Sequence, residues 1–147
     1  MKILKTRDVK TPTRANPTDA GIDFFIPNDF VSKTLNHNEA VLIPAGVKVC
    51  IPEGHALIAF NKSGVATKKN LVIGACVIDE PYQGEVHIHV INVGKEPQIL
   101  NAGDKITQFI CLPINYVTVE EVKDEFELYN GLVSTRGEGG FGSTGTK

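Results

Sequence analysis

Tryptophan is absent from this chain, methionine occurs once and cysteine only three times. Cys50, Cys76 and Cys111 lie far apart, each beside apolar residues, and no C-x-x-C pair is present. An odd, scattered set argues against a disulfide framework or a zinc site and points to reduced, buried thiols in a cytoplasmic setting. No apolar run approaches the roughly 20 residues that span a bilayer. The first residues, Met1 to Arg7, lack the apolar stretch of a secretory signal. Neither membrane insertion nor export is therefore expected. Basic excess is missing too, since 15 Lys and Arg against 17 Asp and Glu leave a net charge of −2. A surface that binds phosphate backbones is basic, so direct nucleic-acid binding is not expected. The chain has no G-x-x-x-x-G-K-[ST] loop, no G-x-S-x-G and no H-x-E with P-C-x-x-C. These absences remove P-loop, nucleophile-elbow and zinc-deaminase chemistry.

What is present is ordinary for one globular domain: 147 residues, 41% hydrophobic and 22% charged. Short Val- and Ile-rich runs recur along it, such as Ala40–Ile43, Val47–Ile51, Ala56–Phe60, Leu71–Ile73, Ala75–Ile78, Val86–Ile91 and Lys105–Ile110. Pro-Ala-Gly, Pro-Glu-Gly, Tyr-Gln-Gly and Asn-Ala-Gly separate them. Many short strands with close turn punctuation predict an all-β sandwich or barrel. Ser63–Asn70 has the composition of one brief helix, with Ser63 as its cap. The acidic stretch Val119–Leu128 reads as a second short helix or an exposed loop.

Several stretches carry polar groups that a bare β fold does not need. Asp19-Ala20-Gly21-Ile22-Asp23 sets two carboxylates around a glycine. They read either as a turn cap or as groups holding a hydrated divalent cation, the way Mg²⁺ is held beside phosphates. In Asn61-Lys62-Ser63-Gly64 a helix start, a hydroxyl and an ammonium together suit an anion. From Gly74 to Gly84 the pattern predicts a strand, a tight turn and a return strand, a β-hairpin, with Asp79 where the apolar strand meets the turn. A carboxylate after four apolar-lined positions is expected to be partly desolvated, which suits a general base acting on water. Gly74, Ala75 and Cys76 are small, so a planar ligand can approach the backbone there. Gln108, on one face with Ile106 and Ile110, is an amide among apolar neighbours and needs partners such as phosphate oxygens. His87 and His89 share a strand face but lack a third ligand at metal-site spacing.

The tail is glycine-rich, yet it carries Arg136, Phe141, Ser143 and Thr144, a set that a plain flexible linker would not be expected to need. A cation, a ring and two hydroxyls on a freely bending backbone suit a lid that closes over a phosphorylated, ring-bearing ligand.

These five stretches, in this order and spacing from Asp19 to Gly145, resemble the motifs of the trimeric all-β dUTP nucleotidohydrolases (dUTPases). The tail and Val77-Ile78-Asp79-Glu80 with Tyr82 and Gly84 match most closely. The resemblance implies a jelly-roll-like barrel over residues 1–134, a mobile lid over 135–147, and a homotrimer with sites at its interfaces. It also implies hydrolysis of dUTP to dUMP and pyrophosphate with Mg²⁺, limiting uracil incorporation into DNA and supplying dUMP for dTMP synthesis. Such an enzyme works in the cytoplasm, or in the host cytoplasm if the source is viral. By resemblance Asp79 activates the attacking water, and Tyr82 packs under a deoxyribose, leaving no room for a 2′-hydroxyl. Ile73, Gly74, Ala75, Cys76, Val77 and Ile78, with the strand near His87, face the uracil, and Phe141 stacks on it. Lys62, Ser63, Gly64, Gln108, Arg136, Ser143 and Thr144 hold phosphate oxygens, and Asp23 meets the Mg²⁺ through water.

The chain departs from the family pattern in two places. Lys62 stands where arginine is usual, replacing a bidentate fork by a point charge. Cys76 stands where glycine is frequent and narrows the expected hairpin. A dCTP deaminase on the same architecture, using Glu80 or Glu85 for proton transfer, is the alternative enzyme. A catalytically weak binding or regulatory homologue is the alternative of another class.

Overall fold

The computed structural model describes residues 1–140 and 143. They fall into two compact units, Met1–Asn115 and Tyr116–Lys147. The first carries β1 (Lys2–Lys5), β2 (Ile22–Phe24), β3 (Lys33–Leu35), β4 (Ala40–Cys50) and β5 (His55–Asn61). Then come α1 (Ser63–Lys69), β6 (Leu71–Ile73), β7 (Val77–Ile78), β8 (Glu85–Asn92), β9 (Gln98–Leu100) and β10 (Thr107–Pro113).

One four-stranded sheet runs β1-β4-β8-β6 and the other β2-β10-β5-β7, with β3 and β9 as a separate pair. The named pairings are antiparallel. In β8 the alternation is plain: Val86, Ile88 and Val90 are buried while His87 is exposed. The buried faces of both sheets share one apolar cluster, with Val47, Ile88 and Val90 from the first and Phe24, Leu57 and Phe109 from the second. The Phe24 and Phe109 rings tilt against each other with centroids 4.3 Å apart. Truncating either to alanine costs about 3–5 kcal/mol. The all-β, jelly-roll-like expectation is met.

Several local expectations are not. Pro44-Ala45-Gly46 does not end a strand; it is an irregularity inside the continuous β4, where the register to β8 shifts. Gly46 takes φ +70 there, and its N–H donates to the Glu85 carboxylate at 2.7 Å instead of to the ladder. Gly74 to Gly84 is not a paired hairpin, because β7 pairs with β5 (Leu57 with Ile78, Ile58 with Val77) and β6 pairs with β8. The chain changes sheets at residues 74–76, where the Cys76 carbonyl accepts from Ala59 N–H at 2.8 Å. Ser63 is the first helical residue of α1 and not its cap; Lys62 sits at the cap and its side chain does not cap the helix. Nor are the cysteines buried: all three are free, Cys50 exposed and the others half-buried.

The second unit contains α2 (Glu125–Tyr129), later and shorter than the acidic pattern suggests. Its start is set by Asp124, whose carboxylate accepts from Glu127 N–H at 2.9 Å. Asn130 and Gly131, at φ 49 and 72, end it in left-handed backbone.

Candidate active site

Two cavities in the first unit gather most of the polar residues singled out above. The first is a cleft of about 180 Å³ whose wall includes Ala75, Val77, Ile78, Asp79, Tyr82 and His87. Its floor is apolar, with Val86 and Phe109 beneath. Asp79 follows directly on β7 at the start of a turn in which Tyr82 N–H donates to the Asp79 carbonyl at 3.1 Å. Its side chain is exposed, so the expected partial desolvation is absent. Only a two-residue strand precedes it, and the turn carries it out of the sheet.

Tyr82 is held at both ends: the turn fixes its backbone, and its hydroxyl donates to the Glu85 carbonyl at 2.9 Å. The ring lies so close over Gly84 that a Cβ there would meet the hydroxyl at 2.2 Å. Gly74 has the same constraint, since a Cβ would lie 1.9 Å from His89 Nδ1. That nitrogen accepts from Ala75 N–H at 3.2 Å, while Gly74 N–H donates to the His89 carbonyl at 3.0 Å. His89 thus backs the sheet-changing segment, a partner that strand alternation alone does not reveal. The Cys76 thiol bonds back on the Gly74 carbonyl. Ile73 N–H donates to Asn61 Oδ1 at 2.8 Å.

The second cavity, about 260 Å³, is lined by Asp19, Gly21, Asp23, Lys62 and Gln108 among others. Asp23 and Gln108 are direct register partners on β2 and β10. Asp23 is only 4% exposed and each carboxylate oxygen meets an ammonium group, Oδ1 that of Lys62 and Oδ2 that of Lys105 at 2.9 Å. Burial pushes its carboxyl up, but the hydrogen bonds and charges of Lys62 and Lys105 outweigh burial and hold it below the ordinary carboxylate value. Gln108 Nε2 donates to the Asn61 carbonyl at 2.9 Å. A Cβ on Gly21 would meet Gln108 Oε1 at 2.1 Å, so this glycine makes room for the amide. Asp19 is a turn cap, its carboxylate accepting from Asn16 N–H at 2.9 Å. Ser63 and Gly64 are the first two residues of α1, ahead of Val65 and Ala66, whose N–H groups both donate to the Lys62 carbonyl. Sequence reasoning missed Lys105 and Asn61; both lie inside motifs already singled out, but their partners are distant in the chain.

Arg136 and Ser143 belong to the second unit. There the Arg136 guanidinium donates through Nε to the Gly139 carbonyl at 2.7 Å, and Ser143 N–H donates to the Gly140 carbonyl at 3.0 Å. Phe141 and Thr144 lie outside the described residues. Among the described residues no group of three or more His, Cys, Asp or Glu could hold a metal ion. No helix among them is long and apolar enough to cross a membrane.

The family model of dUTPases matches residues 7–145. The chain belongs to the dUTPase family. The mouse deoxyuridine 5′-triphosphate nucleotidohydrolase is 38% identical over 136 residues, covering 91% of this chain and 77% of the relative. The enzyme of that name from Desulfitobacterium hafniense (strain DSM 10664 / DCB-2) is 37% identical, covering 97% and 92%. The chain spans half of the human mitochondrial relative, at 37% identity. Among solved structures, a Staphylococcus bacteriophage 80alpha dUTPase mutant with dUpNHpp superposes with a TM-score of 0.82 at 27% identity, covering 98% of this chain and 97% of that one. A mutant dUTPase from phage phi11 of S. aureus, described with a coordinated structural Mg(II) ion, superposes at 0.73 and 26% identity, covering 84% of this chain and 96% of that one. Against a deaminase, the two glutamates that such a reading would use are engaged by main chain: Glu80 accepts from Gly54 N–H and Glu85 from Gly46 N–H, each at 2.7 Å.

Proposed function

We propose that the dUTP diphosphatase activity of this chain runs through Asp79. The chain hydrolyses dUTP to dUMP and pyrophosphate. Water attacks the α-phosphorus, Asp79 accepts its proton, and the bond to the bridging oxygen of the pyrophosphate breaks. The observation that carries this reading is one cleft lined by Asp79, Tyr82 and His87, with Asp23, Lys62 and Gln108 around a second cavity of the same unit. Attack at phosphorus needs positioning, charge neutralisation and a base, which these residues supply.

The roles follow from chemistry. Tyr82, fixed by Glu85 and Gly84, packs under the deoxyribose and excludes a 2′-hydroxyl. The main chain of Ile73–Ile78, with the strand at His87, pairs with the uracil edge. A cytosine amine there would leave buried groups unpaired, and a thymine methyl would clash. Lys62, Ser63, Gly64 and Gln108 hold phosphate oxygens. Residues 135–147 act as the lid, with Phe141 on the base and Arg136, Ser143 and Thr144 on the distal phosphates. In this reading Mg²⁺ would sit beside Asp23, held through water, and would neutralise phosphate charge, as suits a hard cation next to a carboxylate. Each Asp23 oxygen takes one ammonium group and keeps a second lone pair with which it would accept from such a water.

The assembly is a homotrimer with sites at its interfaces. Exposed Leu42, Phe60 and Val77 in the first unit, and Val119, Phe126, Leu132 and Val133 in the second, support an oligomer. The activity restrains uracil incorporation into DNA and supplies dUMP. Assay across dUTP, dCTP, dTTP and UTP tests the reading: pyrophosphate release from dUTP alone is expected, and ammonia release from dCTP would overturn it.

A further inference from the structure

We infer that Lys105 is a positioning residue that holds the buried Asp23 carboxylate so that Lys62 can leave it for a substrate phosphate. This rests on the reading of Lys62 as a phosphate-binding residue.

Asp23 is the buried anion of this region, its side chain 6% exposed. Its two oxygens are divided between two lysines, and the lysines are not equivalent. Lys62, at the end of β5, lines the 260 Å³ cavity; Lys105, in the turn before β10, does not, and its side chain is half exposed. Each lysine uses a different oxygen, so one can depart without disturbing the other's bond.

An ammonium engaged by a buried carboxylate is a poor phosphate ligand unless it can let go. Were Lys62 the sole partner, turning it toward a phosphate would leave a desolvated carboxylate unpaired, which is strongly unfavourable. With Lys105 on Oδ2 the charge of Asp23 stays compensated while Lys62 moves. The trio carries two cations against one carboxylate, which offsets the second carboxylate of the cavity lining, Asp19, before any ligand arrives. Lys105 therefore acts on substrate through Asp23 and Lys62, and its contribution belongs to binding more than to the chemical step.

The test uses Lys105→Met, Lys105→Arg, Lys105→Gln, Lys62→Met and the Lys62→Met/Lys105→Met double variant of the full chain. Steady-state dUTP hydrolysis is measured, together with calorimetric binding of a non-hydrolysable imido analogue of dUTP without divalent cation. Lys105→Met is expected to raise KM and the analogue's Kd about tenfold while kcat stays within about twofold, and Lys105→Arg to restore both to within about threefold. The double variant should be no weaker than Lys62→Met alone, because the two residues act in series. A merely structural lysine would instead reduce kcat through lost active protein and leave KM unchanged, and that result overturns the inference. So do singles whose effects multiply in the double variant. Should Lys105→Met not fold, Lys105→Gln keeps a donor to Asp23 without the charge, and an unchanged Kd there is equally decisive against it. If Lys62→Met itself leaves KM and Kd unchanged, the phosphate-site reading fails and this inference with it. If Lys62→Met is impaired and Lys105→Met is not, the inference alone fails.

Discussion

The Tyr82 ring lies against Gly84, with its hydroxyl on the Glu85 carbonyl at 2.9 Å. A Cβ on Gly84 would sit 2.2 Å from that hydroxyl and 2.4 Å from the ring carbon bearing it. The glycine is therefore the reason the ring can occupy its place. Gly84→Ala is expected to displace Tyr82, lower kcat/KM for dUTP by at least about tenfold and narrow the preference for dUTP over UTP. Kinetics on both nucleotides check this; an unchanged ratio would separate Tyr82 from sugar discrimination.

Gly74 and His89 form a second pair of this kind. Gly74→Ala puts a methyl 1.9 Å from His89 Nδ1 and should destabilise the fold by about 1–3 kcal/mol. Adding His89→Ala removes the clash and should recover part of the stability, but not the acceptor for Ala75 N–H. Urea unfolding of the two singles and the double gives the coupling directly. Additive losses would mean that the ring does not limit residue 74.

Some of this was legible in the chain and some was not. Period-two alternation in Val86–Ile91 and the run Ala56–Phe60 announced β8 and β5, because each buries one face. β1, β3 and β9, of three or four residues, carry too few apolar positions to stand out and exist through their partners. The Pro-Ala-Gly of β4 read as a break because its side-chain partner, Glu85, is 39 residues away. The hairpin misreading has a similar cause: Val77 and Ile78 are drawn to β5, a choice that only tertiary packing makes. At the site, Asp79, Tyr82 and Gln108 were legible as residue types out of place in a plain β fold. Lys105 and Asn61 were not, since what distinguishes them is whom they touch.

Asp23 makes acid stability predictable in sign. Its folded carboxyl lies below its ordinary value of 3.8. The native state therefore binds fewer protons than the unfolded state in that range, and stability rises with pH there. The contribution is fully present above the unfolded value and is lost as pH falls through the lower, folded one. Thermal unfolding between pH 7 and pH 3 should show a loss in wild type below about pH 4 that is smaller in Asp23→Asn. Parallel curves would show that the pair with Lys62 and Lys105 carries no linked stability.

The tail offers a kinetic test. Truncation before Arg136 should strongly reduce turnover of dUTP, and Arg136→Ala should lower kcat more than it weakens substrate binding. Equal losses in both would make Arg136 a binding residue and not part of a catalytic lid.

The most direct test is Asp79→Asn, measured by single-turnover hydrolysis of dUTP alongside binding of the imido analogue. A carboxylate that takes the proton of the attacking water cannot be replaced by an amide of the same shape. The expected result is a loss of at least about a thousandfold in the chemical step with nucleotide binding nearly unchanged. Hydrolysis remaining within about tenfold of wild type, roughly 1.4 kcal/mol of barrier, would contradict the assignment of Asp79 as the base.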